Sequence, residues 1–309
     1  MQVLITDEVH EALTKGLEEK GFEVLSFTGS GKSELLPMLS TIEGLVVRTK
    51  LQIDKEIIDA APRLKFIARA GAGMDNVDEA YAVTRGIACF NAGEANADAV
   101  GEHAAGMLLM LMNNLLRADR QVRNKTWLRE ENRGIEIKGK CVGIVGYGNT
   151  GKAFARKMSG FEARVIAYDK YLVNYGDRFA EACRMEQIFS AADIISFHIP
   201  LTVETRHLVN SDYLEQFRKP LYLLNLSRGP VVKTEDLVEA LRSGKLKGCA
   251  LDVLENEKLE TMSEHEQAQF DYLVNSDRVV LSPHIGGWST ESYQKISTVL
   301  LAKILELNN

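Results

Sequence analysis

The chain has 309 residues, a formal net charge of −6, 45% hydrophobic residues and 26% charged ones. That length suits about two domains, and the composition is that of a globular protein able to bury a core without disulfide or metal staples. The acidic balance argues against a nucleic-acid footprint or a polybasic membrane surface, and no apolar run reaches the roughly 18 residues of a membrane-spanning helix.

From the N-terminus, MQVLITDEV reads as a first strand and not as a secretory leader. Strands are predicted at 3–6, 45–49, 65–69 and 87–90, with helical patterns between them, as at 8–20 and 54–60. The long apolar stretch 98–127, with GEHAAGMLLMLMNNLL at its centre, predicts a helix buried between domains or between subunits. A second series of strands follows at 141–146, 164–168, 194–198, 221–225, 248–252 and 279–282. Strands alternating with helices point to parallel sheets covered on both faces. Segment 255–271 carries six acids against one lysine and reads for most of its length as a solvated surface loop. Cys89, Cys141, Cys183 and Cys249 form no CxxC pair, which suits reduced thiols in a cytoplasmic protein.

The strand at 141–146 leads into Gly146-Tyr147-Gly148-Asn149-Thr150-Gly151 and then a helix, which is GxGxxG in its required setting. Gly146 permits the tight turn, Gly148 the approach of a pyrophosphate, and Gly151 close packing of helix on strand. The anion would rest on the helix N-terminus, where free N–H groups and the dipole favour it. Asp169 follows 18 residues after Gly151 at the end of the next strand. A carboxylate there accepts from both ribose hydroxyls and repels a 2′-phosphate, so the reading is NAD over NADP, with neighbouring Lys170 pulling slightly the other way. The plain alternative is a glycine turn beside a surface acid.

Downstream, three segments place a reactive residue just past a strand: NLSRGPVV with Arg228, LDVLENE with Asp252, Glu255 and Glu257, and PHIGG with His284. Ligands of open α/β sheets bind at that edge. Reduction of a 2-keto acid needs a hydride at carbon, a proton at oxygen and a cation near the growing alkoxide. A histidine titrating near neutrality serves the second need and an arginine the third. Taken singly, Arg228 could be a surface ion-pair partner and His284 a structural histidine.

In these motifs, over nearly the whole chain, the sequence resembles the D-isomer-specific 2-hydroxyacid dehydrogenases. Their patterns N-x-x-RG-x-VV, LDVF-x-x-E-P and PH-x-GG stand here in order, behind the glycine fingerprint. The resemblance implies a doubly wound NAD-binding Rossmann domain at 98–282 inserted into a flavodoxin-like substrate domain at 1–97 and 283–309, with substrate taken up between them. It makes Arg228 the substrate clamp, His284 the acid–base and Glu257 its partner. Glu255 is the fallback, because Lys258 replaces the proline after Glu257. His198, Pro200, Thr205, Asn225, Asp252 and Gly287 would line the cofactor with the fingerprint residues. No metal is implied. Trp288, just after PHIGG, looks like an insertion beside the site, and His10, His103, His207 and His265 read as structural or surface.

Segments 44–49 and 66–78 look like those of D-3-phosphoglycerate dehydrogenases, in a short form without a regulatory domain. Backbone N–H groups of Ala70, Gly71, Ala72 and Gly73 would then hold the substrate carboxylate. Arg48 and Arg69 each follow a predicted strand and suit a phosphorylated substrate, unless they pair with acids at the domain edge. A glyoxylate or hydroxypyruvate reductase is the second reading and a dinucleotide-sensing corepressor a distant third. With the chain ending at Asn309, serine feedback through an appended domain is not expected. Trp127-Leu128-Arg129 resembles a segment that reaches a partner subunit, so a homodimer through 98–127 is expected, held by Met107, Leu108, Met110 and Leu111.

Overall fold

Strands of two to six residues joined by helical crossovers pair in parallel, and the computed structural model, which describes residues 1–307, contains two such sheets. The first series runs β1 (Gln2–Ile5), α1 (Glu11–Glu19), β2 (Glu23–Ser26), α2 (Lys32–Leu35), β3 (Gly44–Val47), α3 (Lys55–Ala60), β4 (Phe66–Arg69), α4 (Glu79–Thr84) and β5 (Ala88–Asn91). Then come α5 (Ala97–Met112), α6 (Leu115–Arg123), β6 (Cys141–Val145), α7 (Asn149–Ser159), β7 (Arg164–Tyr168), β8 (Glu181–Ala182), α8 (Met185–Ala191) and β9 (Ile194–Phe197). The series closes with α9 (Ser211–Glu215), β10 (Leu221–Asn225), α10 (Thr234–Ser243), β11 (Leu246–Leu251), α11 (Glu264–Asn275), β12 (Val279–Leu281) and α12 (Thr290–Leu307).

The first unit comprises Met1–Asn96 and the residues from Trp288 on. Its five parallel strands lie in the order β2-β1-β3-β4-β5, the flavodoxin-like arrangement. Successive side chains point to opposite faces. Leu45 and Val47 of β3 pack with Leu35, Leu39, Ile57 and Ile58, while Val46 joins Leu13, Leu17, Ile296, Leu300 and Ile304 on the other face. The strand β2, absent from the sequence reading, is a half-exposed edge strand whose EVLS carries no apolar run to reveal it.

The second unit, Ala97–Gly287, holds seven parallel strands in the order β12-β11-β10-β9-β6-β7-β8. Numbered from β6, this is the doubly wound 3-2-1-4-5-6 order with a seventh strand added. The direction of winding reverses between β6 and β9, where ligands of such sheets bind. Both halves of the expected α/β architecture are therefore present.

Four details differ from the sequence reading. The expected long helix at 98–127 breaks at Asn113-Asn114, and Asn114 takes a left-handed backbone (φ 53°) that asparagine tolerates better than most residues. Met107, Leu108 and Leu111 of α5 are buried in the second unit's own core, so they are not available to hold a partner subunit. The acidic segment is half helix. Ser263 Oγ accepts the Glu266 N–H at 3.3 Å and Glu266 accepts the Ser263 N–H at 2.7 Å, a capping box that opens α11 with its acids at the positive end of the dipole. The chain leaves the second unit after Gly287, not at 282, because three amides of 284–286 are tied to Asp252.

Candidate active site

Because every strand of the second sheet runs the same way, the segments leaving β6, β7, β9, β10, β11 and β12 share one edge. Each carries residues singled out in the sequence. Gly146 leaves β6 with φ +91°, and a side chain there would collide with the His198 carbonyl across the winding switch. At Gly151 a Cβ would strike the Gly146 carbonyl, so helix α7 can close on the turn only without one. Gly148 caps α7 with no side-chain acceptor for the first N–H groups, and a Cβ built there meets nothing within 4 Å. An uncapped helix start facing open space beyond a glycine turn fits a pyrophosphate. Asn149 and Thr150 begin that helix.

Asp169 follows β7. Its Oδ2 accepts the Tyr147 N–H at 2.8 Å, and Oδ1 accepts those of Tyr171 and Leu172 at 2.9 and 3.0 Å. Burial pushes its carboxyl up, but the three donors outweigh it and the net shift is downward. The group stays ionised and tied to the glycine turn. Tyr147 is buried and donates to Asp177 at 2.9 Å. His198 lies after β9 against Phe154, with Nε2 2.8 Å from Ser196 Oγ, and burial pushes the ring down to about 4. It is therefore neutral. Thr205 Oγ1 donates to the Pro200 carbonyl at 2.7 Å and shapes the turn that follows.

Asn225 and Asp252, expected to line the cofactor, both use their side chains to build the loops around them. Asn225 is buried; its Nδ2 donates to the Arg228 carbonyl at 2.9 Å and its Oδ1 accepts the N–H and hydroxyl of Ser227 at 3.1 and 2.8 Å. Asp252, also buried, accepts from Ser282 Oγ at 2.6 Å, the Ile285 N–H at 2.9 Å and the Gly286 N–H at 2.8 Å. His103, read as structural or surface, joins this network 2.9 Å from Ser282 Oγ. His284 stands between these anchors with φ +55°, a left-handed backbone uncommon for a non-glycine residue. Its N–H donates to the Asp252 carbonyl at 2.8 Å.

His284 Nδ1 lies 3.0 Å from Glu257 Oε2, both side chains being about half exposed. Glu255 is committed elsewhere: His207 Nε2 is 2.6 Å away and the Thr234 N–H donates at 2.9 Å. The structure thus pairs Glu257, and not the fallback Glu255, with His284. Arg228 leaves β10 half-buried, with Nη1 donating to the Ser227 carbonyl at 2.7 Å. Among the described residues no group of three or more His, Cys, Asp or Glu side chains is placed to hold a metal ion.

In the first unit, Val47 pairs with Arg69 across β3 and β4, so Arg48 and Arg69 leave neighbouring strands at one edge. Asp7, overlooked in the sequence although it stands just past the first strand, accepts the N–H groups of Arg48, Thr49 and Lys50 at 3.0, 3.2 and 3.1 Å. Asn76 Nδ2 donates to the carbonyls of Arg48 and Leu51 at 3.1 and 2.8 Å. The Arg48 guanidinium lies 3.8 Å from the Trp288 ring centre. The Arg69 side chain occupies the space that a Cβ at Gly71 would need. Of the four amides expected to bind a carboxylate, those of Ala70 and Gly71 already donate to the Val47 and Arg69 carbonyls, at 2.7 and 2.9 Å. Ala72 and Gly73 remain for that role.

A doubly wound sheet with an uncapped glycine turn, an aspartate tied to that turn and a histidine 3.0 Å from a glutamate is the geometry set beside known proteins. Residues 105–286 match the family model "D-isomer specific 2-hydroxyacid dehydrogenase, NAD binding domain", and the chain belongs to that family. It is 33% identical over 98% of its length to the D-3-phosphoglycerate dehydrogenase of Methanocaldococcus jannaschii, of which it spans 56%. It is also 35% identical over 89% of its length to the glyoxylate reductase of Thermofilum pendens, covering 80% of that protein. The NAD-dependent formate dehydrogenase of Staphylococcus aureus, solved with NAD, superposes with a TM-score of 0.80 at 27% identity over 100% of this chain and 96% of that one. The chain thus spans about half the length of the phosphoglycerate dehydrogenase and most of the other two.

Proposed function

We propose that the protein is an NAD-dependent dehydrogenase that interconverts D-3-phosphoglycerate and 3-phosphohydroxypyruvate. The carrying observation is Arg48. Its guanidinium is half-buried and rests on an indole face, and among the described residues it makes no close ion pair, Asp7 and Glu8 attracting it only from farther off, which suits an anion-binding cation. With Arg69 on the adjacent strand it would hold the phosphate, and the Ala72 and Gly73 amides the carboxylate. The Methanocaldococcus relative carries that enzyme name. A glyoxylate or hydroxypyruvate reductase is the second reading, favoured by a relative of comparable identity that the chain covers more fully.

Gly146, Gly148, Asn149, Thr150, Gly151 and Asp169 would hold the dinucleotide, with His198, Pro200, Thr205 and Gly287 in the segments beside it. The chemistry NAD supplies when bound is hydride exchange with the substrate's C2. His284 Nε2 then gives its proton to the keto oxygen, or takes the hydroxyl proton in the reverse direction. Glu257 on Nδ1 fixes the tautomer and stabilises the imidazolium. Arg228 holds the substrate and opposes charge growing on the oxygen.

NADH oxidation against 3-phosphohydroxypyruvate, hydroxypyruvate, glyoxylate and 2-oxoglutarate tests the reading, with Arg228→Ala as the inactive control. A kcat/KM at least about tenfold higher for the phosphorylated acid is expected; Arg48→Ala and Arg69→Ala should raise KM for that substrate and leave glyoxylate unchanged. A preference for glyoxylate or hydroxypyruvate would move the assignment to the second reading.

A homodimer is part of the proposal, through the surface around α6. That helix buries none of its residues in its own unit, and Leu115, Leu116, Val122 and Trp127 are exposed about it.

A further inference from the structure

Trp288 entered the sequence reading only as an insertion after PHIGG. In the structure it is the platform of Arg48, with the guanidinium carbon 3.8 Å from its ring centre. The indole is itself braced: Tyr293 of α12 meets it edge to face at 5.4 Å, and His10 meets Tyr293 edge to face at 5.6 Å. His10 in turn caps α1, its Nδ1 accepting the Ala12 N–H at 3.1 Å. A column of rings anchored on two helices therefore fixes the plane on which Arg48 lies. The backbone of Arg48 is fixed separately, by Asp7 at its N–H and Asn76 at its carbonyl.

Asp7 is the acid best placed to neutralise Arg48, yet its oxygens are turned to the amides of Arg48, Thr49 and Lys50 and to the Thr6 hydroxyl at 2.7 Å. A guanidinium lying over an indole carries its N–H groups in its own plane, directed outward past the ring. We infer that Trp288 is a positioning residue that orients the Arg48 guanidinium edge-on to the anionic group of the substrate farthest from the reacting carbon, and so sets the preference for a phosphorylated acid. Trp288 touches neither hydride nor proton, and its effect runs through Arg48. This rests on the phosphorylated-substrate reading above.

The consequences differ from those of a merely structural tryptophan. Trp288→Ala should raise KM for 3-phosphohydroxypyruvate by about tenfold while kcat changes by less than about twofold. KM for glyoxylate should not move. Trp288→Phe, which keeps an aromatic face, should recover most of the loss. The chain holds two tryptophans, so the emission difference between wild type and Trp288→Phe isolates Trp288. It should change on adding 3-phosphoglycerate or inorganic phosphate, and not on adding D-glycerate.

If Arg48→Ala abolishes the preference for the phosphorylated acid and Trp288→Ala leaves it intact, the inference is overturned and the substrate reading stands. A Trp288 signal indifferent to phosphate and phosphoglycerate overturns it as well. A substrate panel won by glyoxylate, with a Trp288 signal still saturating in phosphate, overturns the substrate assignment and supports the anion platform alone.

Discussion

His284 and its neighbours show how much one residue's setting determines. A histidine donates or accepts a proton near neutrality, but only a fixed tautomer does so in one direction at one atom. In the proposed mechanism Glu257, 3.0 Å away, supplies that constraint. Glu257→Gln should therefore lower kcat about 10- to 100-fold with little change in NADH affinity, measured by steady-state kinetics and cofactor titration. Glu255→Gln should leave the His284 pairing intact, since its own carboxylate serves His207 and Thr234. Equal losses in both variants would oppose this division of labour. His198 yields a stability prediction. Its ring is held down to about 4 by burial, against an ordinary 6.5, so below pH 6.5 the unfolded chain takes up a proton that the folded one refuses. Stability from this group is complete above 6.5 and is lost as pH falls towards 4. Urea unfolding at pH 7 and pH 4.5 should show a loss of roughly 2 kcal/mol that His198→Gln reduces. The histidine motif, the glycine fingerprint and Asp169 were legible in the sequence because each combines a residue type with a fixed place after a strand. Asp7 and Asn76 were not, since a lone acid or amide at a strand end has many uses.

Among the elements, the loops leaving β10, β11 and β12 behave as one structure. Asp252 gathers three donors from the β12 loop, and Asn225 closes the Arg228 turn. Removing the Asp252 carboxylate leaves two amides and a hydroxyl without their buried acceptor. Asp252→Ala should cost about 2–4 kcal/mol in denaturant unfolding and lower kcat more than it raises KM for NAD, because the turn that carries His284 loses its hold on Ser282, Ile285 and Gly286. A selective rise in KM for NAD would instead favour the cofactor-lining role expected from the sequence. The motif LDVLENE identified Asp252 as important but not for which partner. Its donors lie 30 to 34 residues away and converge on it only once β11 and β12 pair. The break between α5 and α6 was hidden likewise: the apolar run continues through Asn113-Asn114, and the left-handed turn leaves little mark on hydrophobicity.

For the whole molecule, the division of apolar residues between core and surface decides what assembly can use. Leu108 is fully buried in the second unit, so Leu108→Ala should destabilise folding by about 2–5 kcal/mol without selecting against a dimer. Leu115 and Leu116 are half exposed on α6, and replacing both by Asp should leave the monomer folded. Light scattering should then show a loss of dimer in this variant and not in Leu108→Ala at a temperature where it remains folded. An intact dimer after the double replacement would place the interface elsewhere.

The sequence by itself determined the class of the fold, the dinucleotide fingerprint and the residue types of the acid–base pair, because periodicity and motif order are local and survive without a partner strand. Tertiary structure alone decided which glutamate meets His284, what Asn225 and Asp252 hold, which apolar residues stay outside the core, and that Trp288 lies beneath Arg48. Each of these is a contact between segments remote in the chain, set by strand order and by loops converging at a sheet edge. Arg48 and Trp288 stand 240 residues apart in sequence and 3.8 Å apart in space.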